Sequence, residues 1–141
     1  MLKELLTHPM FLSVLISWFI VQTIKVFIFS YRAKKLLPVY YIDGSGMPSG
    51  HSATITAVLF SAYLETGISS LTIALLFVAI IIMRDQIGAC IVGQQSVHLN
   101  EVMKKLKINK KLREDIGHDI QSVIVGLLIA LVVSVAVHKI I

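Results

Sequence analysis

The chain has 141 residues, 56% of them hydrophobic and only 15% charged, with a formal net charge of +5 and a mean hydropathy of +0.83. Soluble domains carry about half apolar and about a quarter charged residues, so this balance excludes a water-soluble globular protein and sorts the apolar stretches into membrane spans. Cys90, the one cysteine, excludes an intrachain disulfide, and His51, His98 and His118 are too scattered for a metal-ligand spacing, so neither a metal nor another cofactor is expected.

The first apolar stretch, residues 11–29, holds a single charge, Lys25, near its far end. About twenty helical residues cross the hydrocarbon core, so this stretch is predicted to span. It lacks the cleavage pattern of a signal peptide and is expected to be retained. A second stretch, residues 52–64, and a third, residues 68–83 with a weaker continuation over 87–92, are each shorter than a full span. Polar residues that face protein rather than lipid can complete both. They read as a helical hairpin turning at residues 65–67. His98 and Asn100 are expected to stabilise the connection to a basic segment, residues 104–113, which reads as solvated or lying against headgroups. The last stretch, residues 123–137, is rich in valine, isoleucine and leucine and closes on His138 and Lys139. The expected fold is all-α: a polytopic membrane helix bundle of about four transmembrane helices, one integral membrane domain over residues 1–141, with its motif loops on one face.

Short loops rich in lysine and arginine stay on the cytoplasmic side. Arg32, Lys34 and Lys35 follow the first span, and Arg84, Lys104, Lys105, Lys107, Lys110, Lys111 and Arg113 follow the third. Both loops are therefore expected in the cytoplasm and both termini outside, in a prokaryotic plasma membrane. Topology and anionic headgroups account for the positive charge, so membrane lipids are the expected partners and nucleic acid is not. Four thin spans would gain from self-association, which makes a homo-oligomer a further expectation.

Between a polar turn and the second stretch stands Pro48-Ser49-Gly50-His51. Glycine and serine let backbone amides approach an anion, the helix that follows offers unpaired N–H groups, and histidine can carry a proton. Lys25 and Arg32 are two helical turns apart, about 10 Å along one face if the helix continues, so two long cations can converge on one anion. His118, expected to begin the last helix, reaches the same membrane face. The competing reading makes Ser49 an ordinary helix cap, His51 a bystander and Lys25 a lysine snorkelling to headgroups. Asp85 beside Arg84 is either an ion pair at the membrane boundary or a support for the site.

Lys25, six residues, Arg32, then Pro-Ser-Gly-His, then a late His118 resembles the three-part pattern of the type 2 phosphatidic acid phosphatase superfamily. Its compact divergent branch is similar at residues 46–53, at Asp85, at Gly93, Gln95, Leu99 and Asn100, and at Gly117, His118, Val123 and Gly126. The resemblance implies a metal-independent phosphatase acting on a lipid phosphate or pyrophosphate at the cytoplasmic leaflet. It further implies that His118 is the nucleophile, that His51 protonates the leaving oxygen, and that Lys25, Arg32 and the amides of Ser49, Gly50 and His51 hold the phosphoryl oxygens. The chain departs from the pattern at four points. Arg113 stands five rather than six residues before His118, Ser122 occupies the acidic position four after it, Cys90 replaces an arginine, and Ala33 stands where a proline usually follows the first-motif arginine. Arg84, Arg113 or Asp85 are candidates to compensate. Whether the chain is an enzyme stays open on these residues, the alternative being a noncatalytic phosphate- or phospholipid-binding membrane protein on the same scaffold.

Overall fold

The structure, a computed structural model, describes residues 2–41, 46–114 and 116–141. Its helices in chain order are α1 (Leu2–Thr7), α2 (Pro9–Ala33), α3 (Gly50–Thr66), α4 (Ser70–Lys105) and α5 (Ile120–Ile140), with a 3-10 turn over Pro38–Tyr41 after α2. Local chemistry sets most of these boundaries. Pro9, whose missing N–H costs nothing in a first turn, opens α2, and Lys34 in the left-handed region closes it by donating back to Ser30 and Tyr31. Ser49, Ser69 and Asp119 cap α3, α4 and α5, each side-chain oxygen accepting from the amide three residues on.

α3 is the central helix: α2, α4 and α5 all pack on it, α2 and α5 also pack on each other, and α4 leans chiefly on α3. The ends of the bundle are well defined. Glu65, at the end of α3, meets His138 at 3.3 Å and His8 at 3.8 Å, so the start of α2, the α3–α4 turn and the end of α5 share one end. The end of α2, the start of α3 and the start of α5 form the other.

Three helices, α2, α4 and α5, are long and apolar enough to cross a membrane. The expected count of about four is one too many because the 52–64 stretch becomes α3, which has 17 residues, about 26 Å of helix, and carries many small polar side chains. The third stretch and its weaker continuation form one unbroken helix of 36 residues, about 54 Å long. That exceeds a hydrocarbon core of about 30 Å, so α4 carries Lys104 and Lys105 well beyond the site end of the bundle. The hairpin turn spans residues 67–69, two residues later than expected, with Glu65 and Thr66 still in α3 and Gly67 at φ +65° after it.

The interior is built of small residues. Ser13, Ser17 and Val21 of α2, Ala53, Ala57 and Ser61 of α3, and Gly126, Ala130 and Ser134 of α5 are buried, while Phe19, Phe27, Phe77, Ile80 and Leu128 face outward. A soluble bundle would invert that order. In lipid, large apolar side chains gain nothing by hiding, and small ones let backbones approach closely. Gly126 is the clearest case, since a Cβ there would collide with the Ser49 carbonyl.

Candidate functional site

The site assembles at the end of the bundle where α2 finishes and α3 and α5 begin. Lys25 lies on the buried stripe of α2 that runs Ser13, Ser17, Val21, Lys25, and is 0% exposed. Its four-residue spacing keeps it facing α3. Ser49 holds the motif loop in place: its N–H donates to the Ser122 carbonyl at 2.9 Å, and its hydroxyl accepts from Ser52 N and Ser52 Oγ. The Ser49 amide expected in an anion cradle is thus committed to α5. The amides of Gly50 and His51, the first two of α3, precede the first intrahelical bond and remain the available donors.

His118 does not begin the last helix; it stands just before the cap residue Asp119. Its position is fixed from the backbone, where its N–H donates to the Gln86 carbonyl of α4 at 3.0 Å. The neighbouring Gly117 makes that approach possible, with φ +74° and no room for a Cβ against the α4 backbone. The His118 ring is 2% exposed, and neither ring nitrogen has a hydrogen-bond partner among the described residues. Burial, then the positive charge of Lys25, then His51 push its pKa down to about 4, while the Gly46 backbone and Asp119 pull weakly upward. At neutral pH the imidazole is therefore uncharged. The His51 and His118 rings lie 6.0 Å apart between centroids, at 57° to one another.

Two clefts open on either side of this pair. One of about 390 Å³ is lined by Lys25, Gly50 and His51 together with Trp18, Gln22, Thr54, Ile55, Val58 and Ile82. The other, about 370 Å³, holds Arg32, Cys90, His118, Asp119 and Ser122. The structure therefore brings Lys25, Gly50, His51 and His118 to one end of the bundle and sets Arg32 in the same cleft as His118. It does not bring Arg84, Asp85 or Arg113 to either cleft. Arg84 and Asp85 are exposed on α4, and Arg113 is exposed in the following loop. Ser122 lines the cleft, but its amide is spent on the Asp119 side chain and its carbonyl on Ser49.

Three residues at the site escaped sequence reasoning. Trp18 and Gln22 sit on the same face of α2 as Lys25, seven and three residues before it, a signal present in the sequence. Asp119 places a carboxylate directly beside His118, and the hydrogen bonds from Ser122 hold its pKa below the usual carboxylate range. Away from the histidine pair, Asn100 organises the basic loop, donating to Leu112 O and Glu114 Oε1 and accepting from Leu112 N.

Fold and site together define a polytopic helical membrane protein with a histidine pair beside a buried lysine at one end of the bundle. The family model described as the Divergent PAP2 family matches residues 6–133, and the chain belongs to that family. An uncharacterized membrane protein, YuiD, of Bacillus subtilis (strain 168) is 31% identical over 153 aligned positions, covering 93% of this chain and 97% of that protein. No solved structure matches the chain.

Proposed function

We propose that this membrane protein hydrolyses a lipid phosphate or pyrophosphate at the site end of the bundle, without a metal, through a phosphohistidine. The observation that carries the reading is the His51–His118 pair, 6.0 Å between ring centroids, gathered at the buried Lys25. Two imidazoles this close can serve one phosphoryl group, one attacking phosphorus and the other protonating the leaving oxygen. Neutral His118 attacks phosphorus; the P–O bond to the lipid breaks as His51, having taken the proton of the singly ionised phosphate, passes it to the leaving oxygen. Water then attacks the phosphohistidine, His51 takes its proton, and the N–P bond breaks to release inorganic phosphate. Lys25, Arg32 and the amides of Gly50 and His51 neutralise the charge on the transferring group. The concentration of lysine and arginine at this end supports a cytoplasmic orientation, and the bacterial relative supports a plasma-membrane location.

A noncatalytic phosphate- or phospholipid-binding protein is the second reading, and one observation favours it. Neither nitrogen of the His118 ring is held by a partner among the described residues, and the residue four positions on, Ser122, offers no charge to orient it. Release of inorganic phosphate from a panel of lipid phosphates by purified protein in chelator, beside His118→Ala, separates the two. The phosphatase predicts chelator-resistant turnover, lost in the variant, and an acid-labile phosphohistidine trapped on quenching. Binding without release in the wild type would leave the second reading.

A further inference from the structure

The cleft that holds Lys25 and His51 does not end at the phosphate position. On α3 it continues through Thr54 and Ile55 to Val58, and on α2 from Lys25 through Gln22 to Trp18. Both paths run away from the site end, for roughly 10–12 Å at 1.5 Å per residue. Ile82 of α4 forms the opposite wall. The result is a slot between α2 and α4, floored by α3, polar at the top and apolar below.

Inside this slot Gln22 carries an unmet acceptor. The residue is 5% exposed, and its Nε2 donates to the Tyr41 carbonyl at 2.8 Å. A carbonyl can only accept, so this bond fixes which end of the amide is which and leaves Oε1 as the other end. That oxygen has no hydrogen-bond partner among the described residues. It and Lys25 Nζ lie 3.8 and 3.9 Å from where a Cβ on Gly50 would stand, so both edge the same small space. Gln22 lines the cleft beside Gly50, and a buried acceptor left unpaired gains from a donor that reaches it from there.

We infer that Gln22 is a specificity-determining residue that accepts a hydrogen bond from a hydroxyl on the substrate, next to the phosphoester and on its chain side. The inference rests on the reading that this cleft takes a lipid phosphate. Gln22 sits one helical turn deeper than Lys25, about 4.5 Å along the axis, so its donor lies below the phosphoryl oxygens and towards the chain. The substrate class is then a lipid monophosphate with a free hydroxyl on the carbon beside the ester carbon, its chain lying along Thr54, Ile55 and Val58 towards Trp18. The same acceptor has one competing source of a proton, the P–OH of a singly ionised phosphate.

The chain contains a single tryptophan, and Trp18 lines the slot, so its fluorescence reports occupancy directly. The experiment titrates the full-length protein in detergent micelles with two methylene-phosphonate lipids of equal chain length, one hexadecyl-glycerol with its free hydroxyl and one plain hexadecyl. The hydroxyl-bearing lipid is expected to bind about tenfold more tightly to the wild type, the worth of one hydrogen bond in an open cleft. Gln22→Leu is expected to bring the two Kd values together. Equal Kd values in the wild type overturn the assignment without any variant, and equal values that both weaken in Gln22→Leu assign the acceptor to the phosphate's own proton instead. A tenfold difference that survives Gln22→Leu also overturns it. Phosphate release from the corresponding esters is measured in parallel. No release, with the tenfold difference intact in the wild type and lost in Gln22→Leu, defeats the phosphatase reading while upholding Gln22 as the residue that selects the lipid.

Discussion

Replacing His118 by Asn removes a titrating group whose protonation the fold strongly disfavours, and the consequence for stability can be worked out in sign and size. In the folded protein burial and Lys25 hold the imidazole near a pKa of about 4, against 6.5 in an unfolded chain. Between these values the unfolded state binds a proton that the folded state refuses. Stability therefore rises with pH across the window and falls as pH drops from about 6.5 towards 4. Each tenfold difference in proton affinity between the two states is worth about 1.4 kcal/mol, so the full window amounts to about 3 kcal/mol. Asp119, whose folded pKa lies below its ordinary 3.8, contributes stability that is lost only at still lower pH, so it stays outside this window. The assay is unfolding in detergent micelles from pH 4 to 7.5 on wild type and His118→Asn. The wild type is expected to lose about 3 kcal/mol more than the variant across the interval. Parallel profiles for the two proteins would refute the reasoning, because they would mean that the imidazole protonates as readily in the folded bundle as in water.

The remaining predictions use the same preparations. Lys25→Met removes the second cause of the low His118 pKa, so the pH window of wild-type destabilisation is expected to narrow from its acid side; an unchanged window shows that burial alone sets the value. Gly50→Ala puts a methyl group at ordinary contact distance from Gln22 Oε1 and Lys25 Nζ, so the thermal midpoint is expected to hold, while the methyl takes space from the bound phosphoryl group and phosphate release is expected to fall about a hundredfold, the effect of a roughly 1 Å misplacement of the substrate. Asp119→Ala deletes the cap of α5 and is expected to cost about 1 kcal/mol, read from denaturant unfolding at pH 7.

Hydropathy made the membrane class and the last span readable, because a run such as residues 123–137 has no other stable place in water. The full length of α4 was not readable: the sequence carries the third stretch only to 92, whereas the helix runs on to Lys105. Arg84, Asp85 and Gln86 break the apolar run, but they do not break the helix, whose backbone bonds continue through them as it leaves the hydrocarbon. Hydropathy reports the solvent around a segment, and where the solvent changes along one helix it misreads a boundary as an end. α3 shows the converse. Its serines and threonines lower its hydropathy because it is surrounded by protein, so the helix most enclosed by the others is the one that least resembles a span.

The site divides along the same line. Lys25, Gly50, His51 and His118 were legible because each stands at a place where the local chain already dictates direction, on a buried helical stripe or in a first turn beside a cap. Arg84, Asp85 and Arg113 were not, since a charge in a sequence carries no record of the face it occupies: Arg84 and Asp85 are exposed on α4, and Arg113 is exposed in the loop that follows. For Gln22 the sequence shows a shared face with Lys25 but not the unpaired acceptor. On its helix it is one more polar residue near Lys25, and its meaning arises only because Tyr41, 19 positions on, takes one end of its amide and leaves the other unpaired in the cleft. Motif residues are set by the chemistry a family shares, whereas the role proposed for Gln22 depends on the shape of one cleft. That role becomes visible only when hydrogen bonds are counted atom by atom.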